Sequence, residues 1–102
     1  MSGIKVLLAE DHVITRQGMR RLLEEEDNLA VIGEAGNGEE AVQMATEMQP
    51  DVVIMDIAMP KLNGIEATRQ IKLLRPTIAV LALSAYDDDE YVFGLQTLPL
   101  RA

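Results

Sequence analysis

The chain has 102 residues, with 9 Lys+Arg against 17 Asp+Glu, giving a formal net charge of −8. That length allows one domain, and a hydrophobic fraction of 48% can fill a core and excludes a disordered chain. The negative balance repels phosphate backbones and excludes non-specific nucleic-acid binding, and the lack of cysteine excludes a disulfide scaffold or thiolate metal site.

In chain order, short apolar runs alternate with amphipathic stretches. Ile4–Ala9 is almost continuously aliphatic, as are residues 52–55 and 78–83. Runs without polar alternation suit strands buried on both faces of a parallel sheet. Residues 29–32, followed by Gly33 and Glu34, read as a weaker edge strand. Ile14, Met19, Leu22 and Leu23 mark one face of a first helix, which runs out in Glu24-Glu25-Glu26-Asp27. Ala41, Val42, Ala45 and Met48 mark a second, closed by Pro50, and Ile65, Thr68, Ile71 and Leu74 a third, stopped before Pro76. A fourth is expected near Asp88, with Tyr91, Val92 and Leu95 on it; Asp87-Asp88-Asp89-Glu90 suits a helix N-terminus better than a cation site. The alternation predicts an α/β layer structure with right-handed crossovers. No apolar run approaches the roughly 20 residues of a membrane span, and the start lacks a signal-peptide pattern. The expectation is a soluble, cytoplasmic protein that contacts no membrane.

In open α/β sheets, ligands gather beyond the carboxyl ends of the strands. The first strand runs into Glu10-Asp11, the third ends in Asp56 and the fourth in Ser84. If these strands are neighbours, their ends lie about 4.8 Å apart, and three carboxylates and a hydroxyl line one crevice. Clustered carboxylates repel, and a hard divalent cation such as Mg²⁺ relieves the repulsion. Asp56, between a buried run and the loop Ile57-Ala58-Met59-Pro60, is the candidate nucleophile toward phosphorus, with Glu10 and Asp11 holding the metal. The plainer alternative is that these acids are solvated turn residues. His12 reads as an ordinary polar residue of the loop after the first strand. Arg16, Arg20 and Arg21 read as a solvated basic face of the first helix, with kinase docking as the alternative. Gly36-Asn37-Gly38 is a turn into a helix, since no Lys-Ser/Thr follows it.

Taken in order, these residues resemble bacterial response-regulator receiver domains. The resemblance rests on Glu10-Asp11, on Asp56 followed by Met59-Pro60 and Gly64, and on Ser84 closing the fourth strand. Asp11-His12 leading to Arg16 and Gly18, the run from Ala35 to Ala41, and Leu83-Ser84-Ala85-Tyr86-Asp87 resemble the branch whose receivers are fused to a LuxR-type helix-turn-helix domain. The family implies a flavodoxin-like (CheY-like) three-layer αβα sandwich, here with strand order 2-1-3-4. It implies phosphorylation of Asp56 by a sensor histidine kinase, with Mg²⁺ held by Glu10 or Asp11, by Asp56 and by the backbone carbonyl of Ala58. It further implies that Ser84 bonds a phosphoryl oxygen and acts as a switch, and that Gly64 supplies backbone angles other residues avoid.

The family pattern also carries a fifth strand, ending in a lysine, and a fifth helix; neither is recognisable after Gly94. The expectation is an incomplete receiver over residues 1–94 with an atypical tail over 95–102, impaired in phosphorylation and switching. With no fifth strand, the run 78–83 becomes a sheet edge, which predicts self-association through that edge or by exchange of elements. Two other functions compete with phosphoacceptance: a degenerate receiver that binds partners without phosphorylation, and an aspartyl-phosphate hydrolase. The hydrolase is disfavoured because Ala58 stands where such enzymes place a second Asp.

Overall fold

The computed structural model describes residues 3–56 and 63–83. Seven elements follow in the order β1 (Ile4–Ala9), α1 (Val13–Glu24), β2 (Leu29–Ala35), α2 (Gly38–Met48), β3 (Val52–Asp56), α3 (Gly64–Leu74) and β4 (Ala79–Leu83). The four strands form one parallel sheet in the order β2-β1-β3-β4. This is the flavodoxin-like arrangement with helices on both faces. The expected fourth helix, the Asp87–Glu90 run, the loop 57–60 and the stretch 95–102 lie outside the described residues.

Local chemistry sets the helix ends. Asn37 caps α2 by accepting from the Glu40 amide at 2.9 Å, while Glu40 reaches back to the Gly36 amide at 2.7 Å. Asn63 caps α3 through the Glu66 amide, also at 2.9 Å. Each cap satisfies amides that the first helical turn leaves without partners, and the acids in those turns complement the helix dipole. α2 ends at Gln49, whose φ of 51° is the left-handed turn that leads into Pro50. Gly64 is the first residue of α3 and is buried there, so the unusual backbone angles expected of it are not used; no described glycine has positive φ. Gly3 is required for another reason, since a β-carbon there would lie 2.6 Å from the Asn28 carbonyl oxygen.

Alternate residues of the buried strands face two apolar layers. Leu7, Ala9, Val53, Met55 and Val80 pack with Ala41 and Ala45 of α2 and with Ala67 and Ile71 of α3. Val6, Leu8 and Ile54 face the other way, against Met19 and Leu23 of α1. The α1 side is thinner: no residue of α1 is fully buried, and Ile14 and Leu22, expected on its inner face, are 80% and 66% exposed. On the same sheet face Leu81 of β4 is 55% exposed. β2 is longer than its sequence suggests, because it carries a β-bulge. Val31 pairs with Val6 and Gly33 with Leu7, which leaves Ile32 as the extra residue. A bulge inverts the alternation beyond it. Gly33 and Ala35 therefore join the α2 face, and Glu34, level with Leu8, joins the α1 face.

Candidate functional site

β1 and β3 are neighbours whose last paired residues are Ala9 and Met55. Their next residues, Glu10 and Asp56, therefore emerge side by side at the carboxyl rim of the sheet. Glu10 is pinned by its amide, which donates to the Ala35 carbonyl of β2 at 3.0 Å, and its side chain is buried. One ligand atom from each of Glu10, Asp11, His12 and Asp56 can be chosen so that all four lie within 4.8 Å of one another. The acids nominated from sequence thus meet, although Asp56 lies 45 residues beyond Asp11 in the chain.

His12 is the member that sequence reasoning set aside. It is the residue before α1, and its backbone amide donates to Glu10 Oε2 at 3.1 Å. Its Nδ1 lies 3.1 Å from the same oxygen and 3.3 Å from Asp11 Oδ1. The hydrogen bond to Glu10, reinforced by the charge of Asp11, raises the imidazole pKa above its ordinary value. A histidine directly after an acidic pair at a strand end was the available signal.

The donor set suits a hard divalent cation. Its carboxylate oxygens are the ligands Mg²⁺ prefers, with water completing the shell. Asp11 Oδ1 is buried and accepts no hydrogen bond among the described residues. Nδ1 of His12, at an ion-pair distance, carries at most one hydrogen, and Glu10 Oε2 is its nearer acceptor. A buried carboxylate oxygen without a donor is costly unless something else satisfies it. Glu10, Asp11 and Asp56 could hold the ion. Ser84 and the Ala58 carbonyl, the other nominated groups, lie outside the described residues, as do Met59 and Pro60.

The arginines of α1 are not a uniform solvated face. Arg16 donates from Nη1 to the Glu10 carbonyl at 2.7 Å and from Nε to Glu34 Oε1 at 2.9 Å. Arg20 donates from Nη1 to the other Glu34 oxygen and from Nε to Glu24 at 2.8 Å. The Arg20 bond, followed by that of Arg16, holds the Glu34 carboxyl below its ordinary pKa. Glu24, followed by Glu34, raises that of Arg20. Arg21 alone of the three is exposed without a described role.

Residues 6–97 match the response regulator receiver domain. The chain belongs to that family. Among curated receiver-containing proteins, it is 42% identical over 89 residues to the transcriptional regulatory protein DegU of Brevibacillus brevis, covering 87% of this chain and 38% of that one. It is 43% identical over 88 residues to the response regulator GacA of Pseudomonas syringae pv. syringae (strain B728a), covering 86% and 41%. The chain thus spans about two fifths of the length of these curated relatives. The structure of a LuxR-family two-component response regulator from Aurantimonas sp. SI85-9A1 superposes with a TM-score of 0.89 at 33% identity, over 95% of this chain and 69% of that one. As a receiver domain of the two-component type, the chain carries its acidic cluster where the strand order reverses between β1 and β3. No described helix is long and apolar enough to cross a membrane.

Proposed function

We propose that this receiver accepts a phosphoryl group on Asp56 from the phosphohistidine of a sensor histidine kinase, with Mg²⁺ held by Glu10, Asp11, Asp56 and the Ala58 carbonyl. One observation carries the reading: carboxylates from two separate strand ends converge within 4.8 Å, one of them with a buried oxygen that no donor among the described residues serves. A carboxylate oxygen of Asp56 forms the new P–O bond as the P–N bond of the donor breaks. The departing imidazole nitrogen keeps the electron pair and takes a proton from solvent, and Asp56 becomes an acyl phosphate. The bound cation supplies neutralisation of the transferring phosphoryl oxygens and in-line alignment. Glu10 and Asp11 contribute fixed negative charge, held in place by the β1–β2 pairing and by the start of α1. The Ser84 hydroxyl bonds a phosphoryl oxygen and communicates the change.

The test is incubation of the full chain with a small phosphodonor and Mg²⁺, followed by intact-mass measurement. A single phosphoryl adduct is expected, absent in Asp56→Asn and absent without Mg²⁺. No adduct on the unmodified chain, while a control receiver is phosphorylated, refutes the reading and leaves an interaction module that works without phosphorylation. Continuous phosphate release from varied esters refutes it in favour of a hydrolase.

A further inference from the structure

We propose that Arg16 is a positioning residue for the cation site: its guanidinium, braced by Glu34, sets the peptide from which Asp11 projects. The proposal rests on the reading of Glu10, Asp11 and Asp56 as that site. Arg16 directs a charge-assisted hydrogen bond at a neutral acceptor, the main-chain carbonyl of Glu10, at 2.7 Å. That carbonyl lies in the peptide plane shared with Asp11, so fixing it fixes the Asp11 amide and α-carbon. The other side of Glu10 is already fixed by the bond from its amide to the Ala35 carbonyl. The two contacts clamp the residue that opens the acidic turn.

The clamp is itself clamped. Nε of Arg16 is bonded to Glu34 Oε1 at 2.9 Å, and the second Glu34 oxygen is taken by Arg20. The side chains of Arg16 and Glu34 are only 18% and 25% exposed, so water competes weakly for this geometry. The planar guanidinium suits the task because one rigid group serves a carboxylate and a carbonyl at set angles. Rigidity is needed where like charges are gathered: Glu10, Asp11 and Asp56 repel one another until a cation arrives, and an unbraced turn relaxes by moving them apart. Outer contacts of this kind typically change metal affinity about ten- to a hundredfold when lost.

The sign of the effect separates positioning from plain electrostatics. Arg16 is positive and close to the site, so its charge alone disfavours a cation. Deleting it strengthens binding if charge is all that matters, and weakens binding if positioning dominates. Calorimetric titration of the full chain with Mg²⁺ alone, well below the melting temperature, reads this directly. The set is wild type, Asp11→Asn, Arg16→Ala, Arg16→Lys and Arg21→Ala, the last removing an equal charge from an exposed position on the same helix. Wild type is expected to bind and Asp11→Asn to lose binding; failure of wild type to bind overturns both the cation site and the proposal. With the site intact, Arg16→Ala is expected to bind at least about tenfold more weakly, Arg16→Lys also more weakly because an ammonium lacks the fork, and Arg21→Ala within about twofold of wild type. Arg16→Ala binding as tightly as wild type, or more tightly, overturns the proposal, as does an equal loss in Arg21→Ala. If Arg16→Ala does not fold, Arg16→Lys decides, and wild-type affinity in it is the overturning result.

Discussion

Replacing Glu34 with Gln removes a charge while keeping the shape, and its effect on stability follows from the contacts. Glu34 accepts one bond from Arg16, whose side chain is 18% exposed, and one from Arg20, at 38%. The first belongs with the charge-assisted bonds worth about 1.5–3 kcal/mol, and its partial exposure places it at the low end. The second is closer to a surface pair, worth about 0.2–1 kcal/mol. Glutamine retains one neutral acceptor, so the net loss at neutral pH is expected to be about 1–2 kcal/mol. For a domain of this length, each kcal/mol lowers the melting temperature by roughly 4–8 °C. The pH dependence has a definite sign. The Glu34 carboxyl is held below its ordinary 4.5 in the folded state, so its stabilisation is complete above the unfolded value and is lost as pH falls through the folded one. Urea midpoints of wild type and Glu34→Gln, compared pairwise at each pH, cancel the titration of the other carboxylates. The gap should be flat from about pH 7 to 5 and close progressively below about pH 4.5. A gap under about 0.3 kcal/mol at neutral pH, or one that does not narrow in acid, would show that Glu34 is merely a solvated surface acid.

Three further outcomes follow from burial and site geometry. Ile71→Ala, in the layer beneath α3, is expected to cost about 2–5 kcal/mol, whereas Leu22→Ala, at 66% exposure, should stay within about 0.5 kcal/mol by the same denaturation assay. Mg²⁺ at a hundredfold excess over its dissociation constant should stabilise wild type by about 2.7 kcal/mol and leave Asp11→Asn unmoved; thermal scans with and without the ion check this. Among the described residues β4 is a sheet edge bearing the 55% exposed Leu81, so self-association is expected by light scattering at micromolar concentration and should diminish in Leu81→Glu. A monodisperse wild-type monomer refutes it.

The central strands were legible because a parallel strand buried on both faces is written as an unbroken aliphatic run, as in Val6-Leu7-Leu8-Ala9 of β1. The acids at their ends were legible for a related reason: an abrupt change from apolar to acidic, as at Met55 and Asp56, marks the point where a strand leaves the core. β2 was read as stopping at Ile32 because its alternation changes phase there, and a phase change looks like an end when only the pattern is visible. In α1, Ile14 and Leu22 have the helical spacing of an inner face, but α1 meets the sheet along a narrower stripe centred on Met19 and Leu23. Arg16 and Arg20 were misread because an arginine's composition does not reveal its partner. Glu34 stands 18 and 14 residues further on, and only the fold brings them together.

The phase change in β2 also explains why that meeting is possible. Val31 faces α1, and a strand without a bulge would continue with Gly33 and Ala35 on the α1 face and Glu34 on the other. There Glu34 would confront the layer in which a β-carbon placed on Gly33 would meet Met44 and Met48. An ionised carboxylate among thioethers and alanines has no partner to offset its desolvation. The extra residue, Ile32, inverts the phase at the one point where both halves of the strand are then satisfied: Leu29 and Val31 stay against α1, Ala35 enters the opposite core, and Glu34 emerges beside Arg16 and Arg20. From Glu34 the constraint passes through one guanidinium to the Glu10 carbonyl. The geometry of the acidic rim therefore depends on an irregularity in the neighbouring strand as well as on the acids themselves, and a regularised β2 would leave Glu10, Asp11 and Asp56 in the chain but unbraced.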